Sequence, residues 1–75
     1  MKLVKNLSFI QIQNELLGKT ARFKSDCEFF PNFDVIGKVI KCYVVNGETI
    51  LDIISSRGKQ IKIGSKMKNL RFNIC

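Results

Sequence analysis

At 75 residues, with 45% hydrophobic and 25% charged side chains, the chain reads as one small domain, 1–75, with too much apolar content for disorder. Such a domain buries only roughly 60% of the surface its unfolded form exposes, so its core has to be compact. No histidine is present and the three cysteines have no repeated spacing, which argues against a structural zinc site or a disulfide framework. No apolar run approaches the ~18 residues of a spanning helix, and the N-terminus lacks a secretory leader pattern. The expectation is a cytoplasmic protein with reduced thiols at Cys27, Cys42 and Cys75.

In chain order, the first element is a helix over about 9–17. Ser8 followed three residues later by Gln11 matches a capping box, Leu7 and Ile12 sit where a hydrophobic staple would, and Gly18 is a helix stop. Phe9, Ile12 and Leu16 share one face, which must dock because so short a helix is marginal in water. After Gly18 the period changes to two, with Ala21 and Phe23 inward and Thr20, Arg22 and Lys24 outward, as in a strand. Residues 25–34 carry Pro31 and Asn32 and read as a long loop with an aromatic tip.

Val35 to Val45 is a long β-branched strand in which Gly37 marks a bulge or bend. Asn46-Gly47 is a type I′ hairpin signal, because both residues tolerate positive φ, and Thr49 to Ile54 returns antiparallel. Ser55-Ser56-Arg57-Gly58 makes the next tight turn into a strand at Lys59–Ile63. The polar stretch 64–69 reads as a single helical turn, and Leu70–Ile74 closes the chain as a fifth strand.

This order of strands, together with the Gly37-Lys38-Val39 bend, the Asn46-Gly47 and Arg57-Gly58 turns and the single turn before Leu70-Arg71-Phe72, resembles the SH3-like small β-barrel. The preceding helix is similar to that of the Sm-like branch, whose members bind RNA. The resemblance implies an all-β fold: a five-stranded SH3-like barrel over about 19–74 with a short N-terminal α-helix.

The net charge of +7 is unevenly spread, at +4 over residues 1–24, −3 over 25–52 and +6 over 53–75. In a barrel of this kind the first and last strands lie side by side, so Arg22, Lys24 and Arg71 should be neighbours, with Lys62 one strand further and Lys66 and Lys68 on the connecting turn. With Arg57 and Lys59 in the preceding turn and strand, these cations form a candidate nucleic-acid-binding surface, RNA or DNA, acting by phosphate contacts with little base readout. The alternative is a small interaction or inhibitor protein, of the kind mobile elements carry, meeting an acidic protein surface or using Phe29, Phe30, Phe33 and Tyr43. The favoured reading of the loop rings is that two of Phe29, Phe30 and Phe33 fold over an open end of the barrel to finish its core, with Tyr43 as the polar-tipped member of that cluster.

No catalytic signature accompanies these features. Cys42 lies in an apolar strand, Cys27 is flanked by Asp26 and Glu28, and Gly18-Lys19-Thr20 lacks the upstream glycine of a phosphate loop. The reading is therefore a non-enzyme with no cofactor and no metal.

Overall fold

The computed structural model describes residues 1–27 and 30–75, and side chains outside 27–32. In it, Ser8 starts the helix by the expected reciprocal bonds. Its hydroxyl accepts the Gln11 N–H at 3.2 Å, and the Gln11 side chain accepts the Ser8 N–H at 2.8 Å. Two of the N–H groups that a helix start leaves without partners are thereby satisfied. The helix α1 (Phe9–Leu16) buries Ile12 and Leu16 and leaves Ile10 in water. It ends one residue before the expected limit, since Leu17 has ψ 126°. Its exit is stitched to the sheet by Gly18 N–H to Val39 O (2.8 Å) and Val39 N–H to Lys19 O (3.0 Å).

The strands are β1 (Lys2–Leu3), β2 (Thr20–Cys27), β3 (Phe30–Val45), β4 (Glu48–Ser55), β5 (Gln60–Gly64) and β6 (Arg71–Ile74). They form one antiparallel sheet in the order β1-β6-β2-β3-β4-β5. The fold is thus all-β with one short helix. Six strands stand where five were expected, because Lys2–Leu3 pairs with Arg71 and Phe72 along the outer edge of β6. Val4, at the end of this strap, is buried and donates its N–H to Leu70 O.

The inward alternation expected of the first strand is met. Ala21 and Phe23 are fully buried and Arg22 is exposed. Phe23 packs against Phe72 with ring centroids 6.3 Å apart, and Val39, Leu51, Ile53, Ile63 and Leu70 complete the core with Ile12 and Leu16 from the helix. Burying a side chain the size of Phe23 contributes roughly 1.5–3 kcal/mol.

Three local expectations need correction. The first is the 25–34 loop, of which residues 25–27 and 30–34 are strand. Ser25 pairs with Phe33 and Cys27 with Phe30 across a register irregularity at Asp26. The physical reason is a pair of bonds to one carbonyl: the buried Ser25 hydroxyl and the Asp26 N–H both donate to Lys68 O at 2.9 Å. Proline is tolerated because the first part of β3 has a strand on one side only, β4 joining it from Gly37 onward. The expected aromatic tip at Phe29, and the side chain of Phe30, lie outside the described residues, whereas Phe33 packs against the core.

The second correction concerns Gly37, which is no bulge. It pairs regularly with both Ala21 and Ser55, and the irregularity falls between Val39 and Lys41. Glycine is needed there for space, since a Cβ would stand 2.7 Å from the Ile54 carbonyl oxygen. Third, residues 64–69 are not a helical turn but two successive tight turns, closed by Met67 N–H to Gly64 O and Leu70 N–H to Met67 O. Asn46 (φ 50°) and Gly47 (φ 77°) adopt the left-handed pair that a two-residue hairpin requires.

Gly37 and Gly47 are therefore constrained by different physics. Alanine at 47 meets no atom within 4 Å and costs only its left-handed backbone, about 1–2 kcal/mol. Alanine at 37 must push β3 from β4, at roughly 1–3 kcal/mol. Urea denaturation should show both midpoints lowered. An unchanged midpoint for Gly37→Ala would contradict the close approach of the two strands.

Candidate nucleic-acid interface

The eight cations singled out in the sequence separate into different surroundings. At the β2–β6 end, Arg22 forms a two-pronged pair with Asp34 on β3: Nε donates to Oδ1 at 2.8 Å and Nη2 to Oδ2 at 2.6 Å. The Arg71 guanidinium reaches Asp26 Oδ1 at 3.4 Å and the Asn69 carbonyl at 3.0 Å, and the Asn69 amide donates to Asp26 Oδ2. Lys24 stands between them, opposite Asp34 on one side and Arg71 on the other. The bond from Arg22, reinforced by its charge and that of Lys24, holds the Asp34 carboxyl below its ordinary range. Asp26 is lowered first by the Asn69 amide, then by the charges of Arg71 and Lys68. Asp34 in turn raises the Arg22 guanidinium.

This end of the sheet is consequently a face of alternating charge. Lys62 is not part of it. The strand order places β2, β3 and β4 between β6, which carries Arg71, and β5, which carries Lys62. Lys66 and Lys68 lie in the turns between β5 and β6. The Lys66 N–H donates to Glu48 Oε2, and the Lys68 carbonyl takes the bonds from Ser25 and Asp26. Arg57 and Lys59 are exposed in and beside the β4–β5 turn. There Arg57, Ser55, Ser56 and Ile36 line a shallow hollow of about 480 Å³ that also touches Arg22 and Asp34.

A second constellation occupies the outer face of β3–β5. The bulge at Ile40 resets the alternation of β3, so that Val39 is buried while Ile40 and Lys41 are both exposed and Tyr43 follows on the outer side. Lys41, Asp52 and Lys62 are then directly opposite one another across three strands. The Tyr43 hydroxyl donates to Asp52 Oδ1 at 3.1 Å, and Asp52 is only 6% exposed. The ammonium groups of Lys41 and Lys62 stand 5.3 Å and 6.0 Å from the centre of the Tyr43 ring. In the next row lie Lys38, Ile54 and Gln60. Among the described residues, no carboxylate lies within 4 Å of Lys38, Lys41, Arg57, Lys59 or Lys62.

Lys38 and Lys41 were missed in the sequence because they sit in the segment of net negative charge. The available signal was the spacing Lys38, Lys41, Tyr43, which fits one strand face only if the alternation slips once.

Burial, then the charge of Asp52, pushes the Cys42 thiol up and away from the nucleophilic thiolate. Cys42 and Cys75 are free thiols, and the side chain of Cys27 lies outside the described residues. No group of three metal-ligating side chains occurs among the described residues, nor any helix long and apolar enough to cross a membrane. No protein-family model, curated protein or solved structure matches the chain.

Because Asp26 and Asp34 have folded-state pKa values below their unfolded ones, the unfolded chain binds more protons in the acidic range. Their stabilisation is present above the ordinary aspartate pKa of about 4 and is lost as pH falls through the folded values. Thermal unfolding followed from neutral to acidic pH should show this loss. The double variant Asp26→Asn, Asp34→Asn should flatten that limb, and an acid response identical to the parent's would remove both pairs from the account.

Proposed function

We propose that this chain is a non-catalytic nucleic-acid-binding module whose contact surface is the outer face of β3–β5 and the adjoining turn. The observation that carries this reading is that, among the described residues, Lys41 and Lys62 have no carboxylate within ion-pair distance and lie over an anchored aromatic ring, while Arg22 and Arg71 are engaged by carboxylates. Lys38, Lys41, Arg57, Lys59 and Lys62 supply the main phosphate contacts. Lys24, Lys66 and Lys68 lie further out, and Arg22 and Arg71 would first have to release Asp34 and Asp26. Each phosphate neutralised frees condensed counterions, so binding is driven by charge and weakened by salt.

The finer fold reading is an SH3-like barrel of the Sm-like kind, with β1 as an addition. The run β6-β2-β3-β4-β5, preceded by a helix and closed by tight turns, supports it. A second reading, a small interaction or inhibitor protein acting on an acidic partner, is favoured by one observation. Ile36, Ile40 and Ile54 are 39–45% exposed on the same face as the lysines, and apolar residues ringed by charge suit a protein contact.

Substitution separates the two charged regions of the sheet. Lys41→Glu with Lys62→Glu should abolish binding of labelled oligonucleotides in an anisotropy titration. Neutralising Arg22 and Arg71 as glutamine should weaken it only slightly. Wild-type affinity should fall with salt at a log–log slope of roughly −3 to −5, for about four to six phosphates neutralised. Binding that survives the lysine reversals, or that is insensitive to salt, would transfer the function to another surface or to a protein partner.

A further inference from the structure

We propose that Tyr43 is a stacking platform for an unpaired base, making single-stranded nucleic acid the ligand class; this rests on the nucleic-acid reading above. Tyr43 stands opposite Ile50, yet its hydroxyl bonds to Asp52, which stands opposite Lys41. The side chain therefore leans back by one cross-strand pair and lies along the sheet instead of standing off it. Tyr43 is half-buried, so part of its ring reaches solvent.

The hydroxyl bond fixes the ring before any ligand arrives, so little rotamer freedom is left to lose on binding. The Lys41 and Lys62 ammonium groups lie over the ring at 5.3 Å and 6.0 Å from its centroid. They are carried on flexible four-carbon stems, so they swing aside to admit a base and then stand beside it for its neighbouring phosphates.

A single strand is selected because every base offers a π-face to an aromatic platform, whereas a duplex has both faces of each base already stacked. Direction follows from the surrounding charge. Glu48 folds over Gly64, where it accepts the Lys66 N–H, so one end of the platform is acidic. Lys38, Gln60 and the Arg57 turn extend from the other end, and the strand runs that way.

The chain contains a single tyrosine and no tryptophan, so its ultraviolet emission reports on Tyr43 alone. Adding a short oligothymidylate to the full-length protein should quench that emission, and a duplex of equal length should not. Tyr43→Leu should lose about tenfold in affinity for the single strand with duplex affinity unchanged. Tyr43→Phe, which keeps the ring but loses the bond that fixes it, should bind between the parent and Tyr43→Leu.

If labelled single strands bind in a manner abolished by Lys41→Glu with Lys62→Glu, but emission is unchanged and Tyr43→Leu binds as the parent does, the platform is wrong and the phosphate-binding face stands. If neither single nor double strands bind at low salt, the nucleic-acid reading falls with it. The emission measurement uses the unmodified protein, so the inference stays testable even where a variant fails to fold.

Discussion

Everything in this sheet depends on the sharing of β3 between two ladders. Its residues from Phe30 to Lys38 pair with β2, and those from Gly37 to Val45 pair with β4, so the two ladders overlap at only two positions. Gly37 is one of them, with strands on both sides and no room for a Cβ against the Ile54 carbonyl. The other is Lys38, paired with Thr20 and Ile54. Just beyond, Val39 ties the helix exit to the sheet through both its N–H and its C=O. A sheet joined at so narrow a place can turn its two halves around one core, and Phe23 from the first half and Leu51 and Ile53 from the second are buried in the same cluster.

That joint also decides how charge is laid out. On the β2–β6 side, Asp26 and Asp34 end up beside arginines that lie 45 and 12 residues away in the chain, and the excess of positive charge there is largely matched. On the β3–β5 side the bulge at Ile40 turns Lys41 outward, and the only acid opposite it is nearly buried. A surface arginine pair adds little stability in water. Its larger consequence here is to withdraw Arg22 and Arg71 from the population of cations free to meet an anion.

How much of this could be read from the sequence depends on whether the cause was local. The capping box at Ser8 and Gln11, the left-handed Asn46-Gly47 turn and the inward set Ala21 and Phe23 were legible, because each is settled by residues within a few positions. The strand character of 25–27 and 30–34 was not. Pro31 and Asn32 argue locally for a loop, and what overrides them is the Lys68 carbonyl, some forty residues away, accepting from Ser25 and Asp26. Gly37 was legible as a special position and misread in kind, since a glycine kept for space and a glycine that marks a bulge look alike in one dimension. The candidate site was half legible: Lys62 and Tyr43 stood out, but their neighbourhood required the slip at Ile40 and the strand order, which no local pattern encodes. The placement of Lys62 beside Arg71 failed for the same reason.

Asp52 is where stability and the proposed function meet. A nearly buried carboxylate is costly unless its charge is compensated and its oxygens are hydrogen-bonded. Here one oxygen takes the Tyr43 hydroxyl, and Lys41 and Lys62 flank it across the adjacent strands. The same carboxylate therefore fixes the ring and lowers the repulsion between two lysines that would otherwise spread apart. Solubility alone is served by charges placed anywhere on a surface and does not require them to bracket an aromatic ring held by a buried acid. The proposed ligand, anionic and planar, would use both, and the sheet holds them in place without it.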